Sequence, residues 1–396
     1  MGFRVEWIRW MKRAGVGVAL AGWLVASNAL GQSDADPAHL WHAYTAQFLS
    51  SDGRVIDPQG DDRTTSEGQS YALFFALVNN DEAHFETVLA WTEKNLAGGD
   101  LGEHLPAWEW GKRKDGTWGA LDPNSAADSD LWIAYDLIEA GRLWKDSRYS
   151  ALGMRLLGLI ARRETAELPG FGPVLLPAAN GFHLKNSWIL NPCYTPVFLL
   201  ERLAKVDPAG PWIGIAIKTP ELIERSSPGG FAMDWVSYTP ETGFKPSLSN
   251  AVKEQGALGS YDAIRVYLWT GMLSDELPAK RRMMHALSGM SQYLTQHGAP
   301  PEKVSNQGVP LATDGPVGFS AAVLPFLASI PDPAEVARQT ERVKSQLGEK
   351  TGLYGKVPTY YDQNLILFGS GWMARQYSFG SGGASVGELI VSWTHG

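Results

Sequence analysis

Carboxyl side chains stand at the start of three predicted helices, where they could donate or accept protons. The first is Glu67, which precedes an apolar run ending at Val78 and begins the buried face of that helix together with Tyr71. Such a carboxyl group can act as a general acid in a cleft if burial or a neighbouring negative charge raises its pKa. The alternative is structural, because Thr64 and Glu67 have the spacing of a capping box.

The other two helix starts carry aspartates. Asp128 and Asp130 open a predicted helix that runs to Trp144, and either aspartate could cap that helix. Asp-x-Asp also resembles the metal-binding pair of many sugar transferases, but no nucleotide-binding βαβ pattern precedes it here. Asp262 opens the third helix, and its i, i+3 spacing to Arg265 is that of an ordinary surface ion pair.

The elements that must position these side chains are mostly helices, and strand-like alternation is limited to short pieces such as Phe231–Tyr238. About twelve helices in this length predict an all-α fold, an (α/α)₆ toroid of six helix pairs closed into a double-layered ring. The inner helices of such a ring point the same way, so the three acidic helix starts could meet at one rim. Helical spacing is found in 38–50, 67–79, 82–96, 129–144, 149–163, 194–205, 257–273, 278–297, 317–329, 333–347 and 362–377.

Residues 32–377 are predicted to form a single domain, because no change in composition divides them. The long segments between the helices are expected to form a groove, since loops of this length in a compact domain are usually functional. The Gly- and Ser-rich residues 378–396 are expected to be a flexible tail. The loop segments are 98–127, 166–193, 206–256 and 298–316.

Residues 1–31 have the three parts of a secretory signal. Basic residues come first, the apolar core is Gly15–Ala26, and Ala29-Leu30-Gly31 offers a cleavage site. The apolar core is shorter than the roughly 20 residues that span a membrane. We therefore expect a secreted protein with no membrane attachment after cleavage, and its acidic charge and single cysteine are compatible with the periplasm.

The composition of the chain excludes some functions and favours another. The 34 Lys and Arg residues against 42 Asp and Glu residues argue against a nucleic-acid partner, which normally requires a basic patch. Cys193 is the one cysteine, so an internal disulfide and a Cys-based zinc cluster are excluded. The 16 tryptophans suit a sugar-binding cleft, because flat aromatic faces match the C–H faces of pyranose rings.

Together the acidic motifs resemble those of glycoside hydrolase family 8, the cellulase D family. Residues 126–144 (AADSDLWIAYDLIEAGRLW) resemble the family signature, from which Ala127 and Ser129 are small departures. Residues 66–71 (SEGQSY) are similar to the general-acid motif of the family, and residues 261–265 (YDAIR) are similar to its general-base motif. The resemblance extends from about residue 38 to residue 377.

The resemblance implies an (α/α)₆ catalytic domain that cuts β-1,4-glucan internally, with inversion at the anomeric carbon and without a metal or organic cofactor. By position in the motifs, Glu67 would be the proton donor, Asp262 the general base and Asp128 the residue that positions the sugar. The same fold with another polymer, such as xylan, chitosan or mixed-linkage glucan, stays open. A non-catalytic glucan-binding protein is a further alternative.

A narrower resemblance links the chain to cellulose synthesis. Residues 106–112 (PAWEWGK) and 262–269 (DAIRVYLW) look like those of periplasmic endoglucanases from bacterial cellulose-synthesis operons. This implies an enzyme that acts on β-1,4-glucan in cellulose synthesis, with the cellulose synthase complex as a further candidate partner. We expect the protein to be a monomer.

Aromatic and basic residues near the acidic motifs are expected to bind the substrate. Tryptophans in the long loops or one turn after Asp128 are predicted sugar platforms, and tyrosines near the helix starts are predicted hydrogen-bonding partners. A guanidinium group three residues after Asp262 is expected to stabilise the charged form of that aspartate. These predicted substrate-binding residues are Trp110, Trp132, Trp188, Tyr194, Tyr261 and Arg265.

Overall fold

The computed structural model describes residues 37–227, 229–247, 258–380 and 386–393. The predicted secretory signal, residues 1–31, lies outside the described residues. From Pro37 onward the chain forms one compact unit. None of the helices in the described part is long and apolar enough to cross a membrane.

Within these residues the chain forms thirteen α-helices. They are α1 (Pro37–Phe48), α2 (Ser66–Val78), α3 (Glu82–Leu96), α4 (Ala127–Leu143), α5 (Ser147–Arg163), α6 (Val197–Val206), α7 (Trp212–Ser226), α8 (Ala263–Met272), α9 (Pro278–Ala286), α10 (Ser288–His297), α11 (Val317–Ala328), α12 (Pro333–Lys344) and α13 (Tyr360–Met373).

The helices form two concentric layers. The inner helices are α2, α4, α6, α8, α11 and α13, and most of them are buried on every side, as expected for helices with apolar residues all round. Each inner helix from α2 to α11 packs against the outer helix that follows it, and α13 packs against α1 to complete the six pairs. The contact between α13 and α2 closes the ring. This arrangement confirms the predicted (α/α)₆ toroid.

Two regions differ from the helices predicted from sequence. The helix α7 lies within the segment 206–256, which was predicted as a loop, and it contains Pro220, a residue that normally interrupts a helix. The predicted helix 278–297 is divided into α9 and α10 at Leu287. The break brings Gly289 against the backbone of Gly230, where a Cβ atom would lie only 2.7 Å from the carbonyl oxygen, so only glycine fits.

The part of the chain that the structure describes also forms five small antiparallel sheets, most of them in the long loops. Two of them hold the beginnings of inner helices, because β1 leads directly into α2 and β10 leads into α8. The strands are β1 (Thr64–Thr65), β2 (Glu109–Lys112) and β3 (Trp118–Asp122); β4 (Thr165–Leu168) and β5 (Gly172–Leu175); β6 (His183–Leu184), β7 (Ser187–Leu190), β8 (Val236–Thr239) and β9 (Gly243–Pro246); β10 (Leu258–Gly259), β11 (Pro301–Ser305) and β12 (Pro310–Asp314); β13 (Tyr377–Phe379) and β14 (Leu389–Val391).

The prediction of a flexible tail after residue 377 is wrong for the part of that segment that the structure describes. Strands β13 and β14 pair with each other, and Leu389 is buried. The backbone N–H of Leu389 donates to the buried carboxylate of Glu139, and Tyr135 donates to the carbonyl of Gly387. The hairpin is ordered because it buries apolar side chains and supplies a donor to a buried charge.

Candidate active site

Three carboxyl groups meet at the guanidinium group of Arg265. Its Nη1 atom lies 2.7 Å from Oε2 of Glu67 and 2.8 Å from Oδ2 of Asp128. Its Nη2 atom lies 2.6 Å from Oδ1 of Asp262. Only 3% of Arg265 is exposed, so the interpretation of Asp262 and Arg265 as a surface ion pair is wrong. We call these four residues the Arg265 cluster, in which the N-terminal ends of α2, α4 and α8 come together.

Glu67 lies in the first turn of α2 and does not close a capping box. The N-cap residue is Thr65, whose Oγ1 accepts from the backbone N–H of Gly68, and the hydroxyl of Thr64 donates instead to the carbonyl of Val55. The side chain of Glu67 is therefore free of backbone bonds and reaches Arg265. It retains 19% of its side-chain surface, which leaves it accessible to solvent.

The carboxylate of Asp262 forms no hydrogen bond with the backbone at the start of α8, because another residue accepts from those N–H groups. Asp262 is the N-cap residue but makes no capping bond with its side chain. The buried carboxylate of Asp234 accepts instead from the backbone N–H groups of Ser260 and Ala263, both at 2.8 Å. Sequence reasoning missed Asp234, because it lies in a loop without a motif and acts on residues far along the chain.

Asp128 is the most deeply buried carboxylate of the Arg265 cluster. The N-cap of α4 is Ala126, which has no side-chain capping bond, so neither Asp128 nor Asp130 caps this helix. Oδ1 of Asp128 accepts from the backbone N–H of Ser129, and Oδ2 faces Arg265. Both oxygens are thereby fixed in direction, as a side chain that positions a sugar requires.

Burial and mutual repulsion favour a proton on Glu67. Burial raises the pKa of Glu67 to about 7, the positive charge of Arg265 opposes the rise, and the negative charges of Asp128 and Asp262 add to it. Burial also raises the pKa of Asp128, again against the effect of Arg265. One guanidinium group does not neutralise three carboxylates, so Glu67 can hold a proton near neutral pH.

A second group of carboxyls, the Asp130–Glu164 pair, lies outside the Arg265 cluster. Both side chains are fully buried, and the oxygens of Asp130 receive no hydrogen from any other described residue. Ser125 donates to Oε1 of Glu164 at 2.5 Å. Burial raises the pKa of Asp130 well above its usual range and that of Glu164 to about 8. Burial and the negative charge of the neighbouring carboxyl group therefore favour a proton on this pair.

Tyrosines surround the Arg265 cluster. Tyr194, predicted from sequence, has its ring 5.8 Å from the guanidinium carbon of Arg265. Tyr261, also predicted, is exposed, and its hydroxyl donates to Oε1 of Glu302 at 3.2 Å. The hydroxyl group of Tyr71 accepts from Arg265 at 3.0 Å, and that of Tyr360 donates to Glu67 at 3.3 Å. The sequence analysis assigned no role to either hydroxyl group. The position of Tyr71 on the same helical face as Glu67 was the one available signal.

Two predicted sugar platforms are buried instead. Trp132 is 1% exposed and packs against aromatic rings that include Phe74 and Trp269, so the prediction that it stacks on sugar is wrong. A residue one turn inside an inner helix faces the packed centre of the ring rather than the groove. Trp188 is also buried, and His183 stacks on its ring at 4.9 Å, so the prediction of an open platform is wrong there too.

Trp110 lies at the rim rather than at the Arg265 cluster. It belongs to β2 and lies opposite Thr64 of β1, just before the helix that carries Glu67. Its ring stacks on Trp118 at 5.2 Å and meets the ring of Trp91 edge-on at 5.1 Å. These side chains line a cavity of about 490 Å³ beside the start of α2.

Comparison with known proteins finds relatives of similar length. An endoglucanase of Xanthomonas axonopodis pv. citri (strain 306) is 43% identical over 387 residues, which are 97% of each chain. An endoglucanase of Escherichia coli (strain K12) is 42% identical over 354 residues, which cover 89% of this chain and 90% of that one.

A solved structure and a family model agree with these relatives. The crystal structure of an endo-1,4-D-glucanase from Vibrio fischeri ES114 superposes with a TM-score of 0.81 at 41% identity, covering 89% of this chain and 99% of that chain. The family model described as glycosyl hydrolases family 8 matches residues 8–375. The chain therefore belongs to glycosyl hydrolases family 8.

Proposed function

We propose that the protein is an endo-β-1,4-glucanase that hydrolyses cellulose-type glucan with inversion at the anomeric carbon. The observation that carries this proposal is the joint contact of Glu67 and Asp262 with Arg265. Relatives called endoglucanases, at 42% and 43% identity over most of the chain, support the choice of glucan.

The contacts with Arg265 set an upper limit to the spacing of the two carboxyl groups. An inverting enzyme needs its acid and base about 6.5–9.5 Å apart, which leaves room for a water molecule. The contacting oxygens of Glu67 and Asp262 are separated by at most two short hydrogen bonds and the width of one guanidinium group. Their separation therefore falls below the upper end of that range.

In the proposed reaction Glu67 is the acid and Asp262 is the base. The proton of Glu67 passes to the glycosidic oxygen as its bond to the anomeric carbon breaks. Asp262 takes a proton from a water molecule, whose oxygen forms the new bond from the opposite face of the sugar. The two carboxyl groups then return to their starting states by proton exchange with solvent.

The remaining residues of the site orient the sugar. Asp128 would accept hydroxyl hydrogens of the sugar at the cleavage position, because Arg265 and Ser129 fix its two oxygens in direction. Tyr194 and Tyr261 would contribute hydrogen bonds from the walls of the groove. Because Glu67 and Asp262 retain 19% and 26% of their side-chain surface, substrate can reach both.

The setting of the enzyme is part of the proposal. The signal-like residues 1–31 support secretion to the periplasm. The motifs at 106–112 and 262–269 support a role in bacterial cellulose synthesis, where a monomeric enzyme would act on glucan close to the synthase complex.

The test is hydrolysis of a polymer panel by the purified protein. Swollen cellulose, mixed-linkage glucan, xylan and chitosan are incubated with the unmodified protein and with Asp262→Asn, which keeps the shape of the side chain but removes the base. We expect internal cuts in cellulose and their loss in the variant. Cleavage of xylan or chitosan in preference to cellulose would contradict the proposed substrate. Cleavage of none of the four polymers would contradict the proposed hydrolase activity.

A further inference from the structure

A cavity of about 490 Å³ lies at the rim of the ring, outside the Arg265 cluster. Its walls come from the loop after α1, from α3 and from the β2–β3 hairpin, none of which supplies a carboxyl group to that cluster. The hairpin adjoins the start of α2 through the pairing of Trp110 with Thr64. The cavity therefore lies beside the helix that carries Glu67 without being part of the reacting centre.

One wall of the cavity is an aromatic surface that is open to solvent. The rings of Trp110 and Trp118 stack at 5.2 Å with an angle of 26° between their planes. Trp118 is 44% exposed, whereas tryptophans are highly buried on average. We call Trp110 and Trp118 the tryptophan platform.

Arg54 holds the tryptophan platform in place. Its guanidinium carbon lies 4.8 Å from the ring centre of Trp110 and 4.7 Å from that of Trp118, within the range of cation–π attraction. Its Nε atom donates to Oγ1 of Thr64 at 2.9 Å, and a terminal nitrogen donates to the carbonyl of Asp62. The platform is therefore fixed before any ligand arrives, which lowers the entropy cost of binding.

The chemistry of the cavity fits a neutral, hydroxyl-rich chain. A flat indole surface matches the C–H faces of pyranose rings, and Asp52 and Lys94 at the cavity wall can bond to hydroxyl groups. The excess of acidic over basic residues in the chain disfavours an anionic polymer such as a nucleic acid. A β-1,4-glucan has the apolar ring faces and the hydroxyl edges that this wall could accommodate.

We propose that the tryptophan platform is a second glucan-binding site, which holds a polymer chain outside the position of cleavage. This inference rests on the proposed function, because the same polymer is the substrate. A long chain can occupy both the platform and the groove, so binding at the platform raises its effective concentration at Glu67. A short oligosaccharide held in the groove alone gains nothing from the platform.

The test compares Trp118→Ala with Leu121→Ala, which removes a similarly exposed side chain from the same hairpin but does not line the cavity. Binding to swollen cellulose and kcat/KM on cellopentaose are measured for both variants and for Trp118→Tyr. We expect about tenfold weaker cellulose binding for Trp118→Ala, partial recovery with tyrosine and no change for Leu121→Ala. Hydrolysis of cellopentaose stays as in the unmodified protein.

Two results would overturn the second site. Unchanged cellulose binding by Trp118→Ala would show that the tryptophan platform does not bind glucan. An equal loss on cellulose and cellopentaose would mean that Trp118 supports the reacting centre instead. Both differ from failure of the proposed function, in which the unmodified protein itself would not cut cellulose.

Discussion

Asp128 and Asp130 stand two residues apart at the start of α4, yet their carboxyl groups enter different surroundings. Asp128 joins the Arg265 cluster, where a buried guanidinium group contacts three carboxyl groups. Asp130 meets Glu164, and among the described residues neither carboxyl group of that pair forms a salt bridge. The two aspartates share a residue type and a position in the first turn of the helix. They differ in the side chain that each carboxyl group contacts.

The difference also determines where protons reside. In the Arg265 cluster one cation stabilises the charged form of the carboxyl groups. Burial and the carboxylate neighbours nevertheless raise the pKa of Glu67 to about 7. In the Asp130–Glu164 pair no bonded cation offsets burial, so the protonated forms are favoured. The Arg265 cluster combines a proton on Glu67 with partly exposed carboxyl groups that a substrate can reach, whereas both side chains of the Asp130–Glu164 pair are fully buried.

Replacing glutamate by glutamine should reduce activity strongly in the Arg265 cluster and hardly at all in the Asp130–Glu164 pair. Glu67→Gln removes the proton donor, so we expect kcat on cellulose to fall by about 10²- to 10⁴-fold. Glu164→Gln keeps a hydrogen-bonding group next to Asp130 and should leave kcat close to that of the unmodified protein. Steady-state kinetics on swollen cellulose measures kcat for both variants. Equal losses of kcat would contradict the assignment of only the Arg265 cluster to catalysis.

Removal of the central cation should destabilise the Arg265 cluster. Arg265→Met leaves three carboxyl groups without their ion pair, of which Asp128 is buried, and we expect the free energy of unfolding to fall by about 3–5 kcal/mol. Arg265→Lys retains the charge without the planar fork and should recover part of the loss. Urea denaturation gives both values. A methionine variant as stable as the unmodified protein would contradict the role of Arg265.

The pH dependence of activity should follow the proton on Glu67. The carboxyl group must be protonated to donate, and its pKa is raised to about 7, so kcat/KM should fall as the pH rises above about 7. The same fall should occur in Glu164→Gln, because that pair is separate from the reaction. A pH–rate profile on cellulose measures it. A decline already complete in mildly acidic solution would show that Glu67 is not the acid.

The Asp130–Glu164 pair should affect stability through pH. Its environment raises the pKa of Glu164 from 4.5 to about 8, so the folded state binds a proton more tightly than the unfolded state does. This stabilisation is complete below pH 4.5 and is lost as the pH rises toward about 8. Glu164→Gln should therefore show a smaller loss of unfolding free energy across that window. Urea denaturation at several pH values checks this, and parallel curves would contradict it.

The inner helices and the acidic helix starts could be predicted from sequence because both are local signals. Helices such as α2 are apolar on all sides, and Glu67 begins a helical face that the 3.6-residue period makes visible. Helix α7 was missed because Pro220 interrupts an otherwise suitable pattern. The C-terminal hairpin was missed because its partner, Glu139, lies in a distant helix.

Side chains that act across the fold could not be predicted. Asp234 holds the start of α8 from a different loop, and no local spacing reveals that contact. The tryptophans gave a composition signal but no positions, since burial separates Trp132 from Trp118. Sequence patterns indicated which carboxyl groups could react, whereas tertiary packing decides which surfaces a sugar can reach.

The stereochemistry of the first product tests the central proposal most directly. Proton NMR is recorded from the first moments of hydrolysis of a soluble β-1,4-oligosaccharide, before the anomers interconvert. If Glu67 and Asp262 act as acid and base on opposite sides of the bond, the α-anomer appears first and the β-anomer follows by mutarotation. If the β-anomer appears first, the reaction proceeds with retention and the proposed pairing of Glu67 with Asp262 is wrong.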